Sequence, residues 1–228
     1  MSVAQVREFP VGDDATDAGT FAWSPDGARV AVLARLVRKV SLFDARSGSP
    51  VATLDDLAGG TTSIGFTADG RVVAGPRGEQ GGGAFVWTPG SGDVRPLPSP
   101  EGKSDDPVTS RLSSFAIDPA GQRLIGIHRA RMGQGYTSRL ALYDLAALSL
   151  VTTGGGPASQ VAIASGGQKA AIVGQDGQVG IIDLATGAQI LHINAHLNAV
   201  LHVAWSADGR HIATATMGEG FGLDRRTG

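Results

Sequence analysis

The chain has 228 residues, 42% of them hydrophobic, which fits a folded chain with a sizeable core and excludes a disordered one. A net charge of −2 gives no overall attraction to nucleic acid or to an anionic membrane, so a charged partner must be met by a local patch. With no cysteine there is no disulfide framework, thiolate nucleophile or cysteine-ligated metal site.

In chain order, VAQVREF over residues 3–9 reads as an isolated strand. A repeating unit then opens at Phe21 with FAW, a Ser-Pro-Asp-Gly turn and VAVLA; a basic loop holds Arg35, Arg38 and Lys39, and VSLFD and PVATL follow, ending at Asp44 and starting at Pro50. The second unit runs from IGFTADGRVVAG at Ile64 past Arg77 to AFVWT, ending at Thr88, and DVRPL from Asp93. The third begins FAIDPAGQRLIGI at Phe115, passes Arg129, Arg131 and Arg139, and reaches LALYD at Asp144. There LYDLAALSL, around Leu145, is the only segment with the character of a short amphipathic helix. The fourth unit reads VAIASGGQKAAIV from Val161, VGIID to Asp183 and QILHI from Gln189; the fifth reads VAWSADGRHIATAT from Val203 and FGLD to Asp224.

The turn glycines Gly27, Gly70, Gly121, Gly167 and Gly209 recur 43, 51, 46 and 42 residues apart. Within each unit apolar residues alternate with a period of two, as half-buried strands require, and the Asp-Gly turns absorb much of the excess of 34 glycines. Four short strands per unit at this period describe a propeller blade, which buries little alone and must pack face to face on its neighbours. The expected fold is all-β, a β-propeller of five four-stranded antiparallel blades over residues 20–54, 61–98, 112–153, 158–193 and 199–228 in one domain. The start of the chain lacks a cationic and apolar leader, and no apolar run is long enough to span a bilayer; a cytoplasmic protein is expected.

These repeats resemble the WD40 family over essentially the whole chain. The best copy runs from Ala195-His196 through VAWSADG to Leu223-Asp224, where that family carries Gly-His and Trp-Asp. Only this copy keeps the histidine, and Phe43-Asp44, Trp87-Thr88, Tyr143-Asp144, Ile182-Asp183 and Leu223-Asp224 replace Trp-Asp. The fourth unit is equally similar to the YVTN-type repeats of bacterial propellers. The resemblance implies a buried His, Ser/Thr, Asp and Trp network that most blades here cannot build. It also implies closure by strand exchange: FGLD ends where other units continue to a fourth strand, so residues 3–9 are expected to pair antiparallel with residues 220–224 and complete the last blade.

Several motifs have bland readings. His192, His196, His202 and His211 cluster in sequence, but they fall on different strands and turns without a carboxylate partner, and no metal is expected. The glycines at 81–83 and 154–156 lack a following Lys-Ser/Thr and read as loops. Trp23, Trp87 and Trp205 fit burial between blades better than base stacking. No nucleophile elbow, zinc-protease or kinase signature is present.

Charge is more informative. Acidic pairs at Asp13-Asp14, Asp55-Asp56 and Asp105-Asp106 lie between blades, and Arg35, Arg38, Lys39, Arg77, Arg129, Arg131 and Arg139 lie between second and third strands. In the WD40 architecture both loop types emerge on one face, and the resemblance implies a partner-binding surface there. The expected function is a non-catalytic scaffold for a protein or peptide partner, without nucleic acid, membrane or cofactor, either free-standing or within a larger regulatory protein. The alternative is a glycosidase-like or lactonase-like hydrolase with its site at the central channel.

Overall fold

The computed structural model describes residues 18–34, 38–57, 63–75, 84–100, 110–132, 135–155 and 158–216. Every regular element among them is a strand, and none of them forms a helix long and apolar enough to cross a membrane. Four four-stranded antiparallel sheets follow one another. The first holds β1 (Ala18–Trp23), β2 (Arg29–Ala34), β3 (Lys39–Asp44) and β4 (Pro50–Leu54). The second holds β5 (Ile64–Phe66), β6 (Val72–Ala74), β7 (Phe85–Trp87) and β8 (Val94–Pro96). The third holds β9 (Ser110–Ile117), β10 (Arg123–Met132), β11 (Gly135–Asp144) and β12 (Ser149–Gly155). The fourth holds β13 (Gln160–Ile163), β14 (Lys169–Val173), β15 (Gln178–Asp183) and β16 (Gln189–Asn194). A hairpin of β17 (Val200–Trp205) and β18 (Ile212–Thr216) begins a fifth sheet.

The repeated turn has a local cause. Ser24 Oγ donates to Asp26 Oδ1 at 2.5 Å and accepts the Arg29 N–H at 2.9 Å, while Asp26 Oδ1 accepts the Ala28 N–H at 3.0 Å. Ser206 and Asp208 repeat this bonding at 2.5, 2.9 and 3.0 Å. Each turn closes on a glycine with φ between +66° and +78°, a region open to glycine at little cost. At the end of the third strand, Asp44, Asp144 and Asp183 each accept the N–H groups two and three residues on, which turns the chain into the fourth strand. That bonding, rather than a helix, governs the segment after Asp144: residues 145–148 are a turn, and Leu145 is buried between the second and third sheets.

Stability resides in layers between sheets rather than in one central core. Leu33, Leu42 and Leu57 pack with Phe66, Phe85 and Trp87; Val86 and Leu97 pack with Leu124 and Tyr143; Ile127 and Leu142 pack with Ile182 and Leu184. A fourth layer joins Val173, Val179 and Ile181 to Val200, Val203 and Trp205. Second and third strands such as β2, β3, β6 and β7 are buried along nearly their full length, β6 and β7 between the layers shared with the first and third sheets. The first strands of successive sheets pack side by side, β1 on β5, β5 on β9, β9 on β13 and β13 on β17, which places them innermost. Trp87 is buried as expected and Trp205 packs on the fourth sheet, but Trp23 is 55% exposed. The third strand of the last unit and the expected pairing of residues 3–9 with residues 220–224 lie outside the described residues.

Candidate partner-binding face

Antiparallel register fixes which loops share an end of the blades. Ala18 is paired with Ala34, Ala34 with Lys39, and Val40 with Leu54, so the connection from β2 to β3 and the one leaving β4 emerge together. We call this the loop end; the Asp-Gly turns form the opposite, turn end. Arg38, Lys39, Asp55 and Asp56 all belong to the loop end of the first blade, with Asp55 and Asp56 exposed and Arg38 and Lys39 half-buried. Arg35, Arg77, Asp105 and Asp106 lie outside the described residues, as do Asp13 and Asp14.

Arg129, Arg131 and Arg139 are on strands, not in a loop, which corrects the sequence reading. Strands β10 and β11 pair without interruption from Arg123↔Asp144 to Met132↔Gly135, so the hairpin carries Arg129 opposite Ser138 and Arg131 opposite Tyr136. The basic residues alternate along a ladder whose backbone bonds persist after the apolar core has ended. Arg129 and Arg139 are exposed on it.

Arg38 has a task the sequence did not reveal. Its Nε donates to the Leu57 carbonyl and its own carbonyl accepts the Leu57 N–H at 3.0 Å, joining the two loops of the first blade. Both loops carry non-glycine residues in the left-handed region, Arg38 at φ +55° and Asp56 at φ +64°, and Leu57 is fully buried between them. Lys39, Asp55, Asp56, Arg129 and Arg139 make no ion pair with another described residue.

The turn end differs. The four ion pairs among the described residues, Asp69–Arg71, Asp93–Arg95, Arg123–Asp144 and Asp208–His211, all lie there, at 2.9, 2.8, 3.5 and 3.8 Å. Arg71 also donates to the Leu145 carbonyl at 3.0 Å. The Ser24 hydroxyl holds the Asp26 carboxyl below the usual carboxylate range, and the Ser47 N–H does the same for Asp44. A cavity of about 290 Å³ opens at this end between the first strands, lined by Trp23, Phe66, Phe115 and Ile117. Its one carboxylate, Asp118, accepts the Gln122 and Arg123 N–H groups at 2.7 and 2.9 Å and is committed to its turn. Asp55 and Asp56 are not among its lining residues.

The clustered histidines have separate partners, and the bond of His202 crosses from the fifth sheet to the fourth. His196 Nε2 meets Thr214 Oγ1 at 2.7 Å, His202 Nδ1 meets Gln160 Nε2 at 3.3 Å, and His192 is exposed on β16. No group of three or more His, Cys, Asp or Glu positioned for a metal exists among the described residues. The most buried titratable pair lies elsewhere: His128 is 1% exposed and its Nε2 lies 2.9 Å from Tyr143 Oη, which donates to the Pro98 carbonyl at 3.0 Å. With its proton so used, Tyr143 accepts from His128, which fixes the Nε2–H tautomer and ties the third blade to the end of the second. Burial pulls His128 down to about 4 and pushes the Tyr143 phenol up.

No protein-family profile and no curated protein sequence matches the chain. By structure it is similar to the β-propeller domain of Cps50 (Swd1) from Myceliophteria thermophila, with a TM-score of 0.66 and 16% identity. The match covers 87% of this chain and 66% of that one, so the chain spans about two thirds of that domain's length. The similarity agrees with the successive four-stranded sheets and their inward first strands: the chain has an all-β, β-propeller fold.

Proposed function

We propose that the chain is a non-catalytic scaffold that holds a protein or peptide partner on the loop end of its blades. The observation that supports this reading is the asymmetry of charge. The turn-end carboxylates are spent on ion pairs and turn bonds, whereas at the loop end Asp55, Asp56, Arg129 and Arg139 are exposed and leave both signs available to a partner. Exposed charges of this kind act on encounter rate and specificity more than on fold stability. The Arg38–Leu57 bonds hold the acidic loop in place, so that less ordering is required on binding.

The test is affinity capture with the tagged full chain, comparing Asp55→Lys with Asp56→Lys, and Arg129→Glu with Arg139→Glu, against Arg46→Glu at the turn end. Arg46 is exposed with no salt bridge to another described residue, so it is a cleaner control than Arg71 or Arg123, which hold structural bonds. The loop-end variants are expected to lose the captured partner and its salt sensitivity while the Arg46 variant keeps both. Loss confined to the Arg46 variant would place the partner on the other end.

A further inference from the structure

The third blade overruns the fourth at the loop end. Gly121 and Gly167 are equivalent turn glycines, so Ile127 is the counterpart of Val173. In the fourth blade Val173 pairs with Val179 and the chain turns through residues 174–177. In the third, five further rungs follow Ile127↔Leu140, from His128↔Arg139 to Met132↔Gly135, and β9 accompanies them as far as Ser110↔Ala130. An overhang of paired strands therefore stands beyond the point where the fourth blade turns back.

The charge of this overhang has one sign. Its face toward the fourth blade is fixed by Ile127 and Leu140, which pack with Ala158, and by Ser138, which donates to the Ala158 carbonyl at 2.9 Å. Alternation along the strands puts Arg129, paired with Ser138, and Arg131, two residues on, on that same face, with Arg111 directly opposite Arg129 on β9. The three positions lie about 5 Å apart across the strands and about 7 Å apart along β10. Between Ser110 and Tyr143 the one acidic residue is Asp118, held in its turn at the far end of the blade. Arg129 is exposed and has no ion pair with another described residue. Like charges directly opposite one another weaken a ladder, so neither the inter-blade layer nor an ion pair among the described residues accounts for arginine at these positions.

We propose that the overhang binds an extended acidic peptide segment, with carboxylates at alternate positions set against Arg129 and Arg131. An extended chain repeats its same-side residues about every 7 Å, which is the spacing of those two arginines, and a guanidinium takes a carboxylate through paired N–H donors. Arg111, across the rung from Arg129, adds positive charge at the first of these positions. A nucleic acid strand fits less well, because its continuous negative charge meets the exposed Asp55 and Asp56 at the same end and a chain of net charge −2. The proposal rests on the loop-end reading in taking this segment to belong to the partner, and it names the chemistry by which the third blade recognises it.

The test is fluorescence anisotropy on the full chain with a labelled synthetic peptide of alternating Glu and Ser. Wild type is expected to bind it, less tightly as salt is raised. Arg129→Glu and Arg131→Glu should each lower the affinity about tenfold, and Arg46→Glu should leave it unchanged. Circular dichroism should show wild-type strand content in all three; should an overhang variant lose it, Arg129→Gln and Arg131→Gln take its place with the same expectation. Absence of binding, undiminished binding by Arg129→Glu, or equal affinity for a peptide with as many Glu at every third position would overturn the proposal. Tighter binding of an oligothymidylate would overturn it in favour of a nucleic acid. If the peptide does not bind while the loop-end variants still lose the captured partner, this proposal alone is wrong. If the peptide binds as expected while Arg129→Glu keeps the captured partner, the acidic-segment site stands and the placement of the partner on it is refuted.

Discussion

Substituting Gly121 by alanine separates the cost of a turn from the cost of a joint between blades. Gly121 and Gly27 occupy equivalent turns with φ of +66° and +67°. At Gly27 a Cβ would meet nothing within 4 Å, so Gly27→Ala carries only the left-handed backbone term of about 1–2 kcal/mol. At Gly121 the Cβ would lie 2.2 Å from the Ala68 nitrogen and 2.7 Å from the Thr67 carbonyl carbon, backbone atoms of the neighbouring blade's turn. The two turns must separate, which breaks the bond from Ala68 N–H to the Gly121 carbonyl at 3.0 Å. That loss adds about 1 kcal/mol, and the displaced packing around it more, for a total of about 3 kcal/mol or above. At about 2–4 °C per kcal/mol for a chain of this size, thermal unfolding by circular dichroism should fall by about 4 °C for Gly27→Ala and about 10 °C for Gly121→Ala. Equal losses in the two variants would refute the claim that adjacent turns are in backbone contact.

Further outcomes follow from other contacts. Because His128 falls from 6.5 to about 4 on folding, the unfolded chain binds the extra proton between those values; its stabilising contribution, about 3 kcal/mol, is complete above pH 6.5 and lost as pH drops towards 4. His128→Gln should flatten the dependence of urea-unfolding stability on pH in that window, and an unchanged slope would contradict the burial. Thr214→Val should cost about 1 kcal/mol by removing the partner of His196, with the loss measured by chemical denaturation. Gly177→Ala should loosen the same loop, since its Cβ would sit 2.0 Å from the His196 carbonyl oxygen, and faster amide exchange at residues 195–199 would report it.

The blades were legible because their turns use side-chain chemistry that repeats in sequence: Ser24 with Asp26 and Ser206 with Asp208 are the same bonded turn, each closed by its glycine. The extent of the third blade was not. Arg129 and Arg139 resemble loop residues because exposed strand positions past the core need not be apolar, while backbone pairing alone carries β10 and β11 onward. Leu145 suggested a helix because burial in an inter-blade layer and burial on a helix face leave the same apolar residue. Arg38 at φ +55° and the His128–Tyr143–Pro98 chain depend on contacts 19, 15 and 45 residues apart, for which one sequence carries no periodic signal. Repeat equivalence predicted a buried Trp23; its exposure depends on what lies beside the first blade, which no local pattern encodes.

The most direct test of the account is amide exchange on the full chain, free and with its captured partner bound. Protection should rise at residues 55–57 and along the hairpin at 129–139, and the turns at 24–29 and 206–211 should be unaffected. Protection of those turns, with none at the loop end, would contradict the assignment of the binding face.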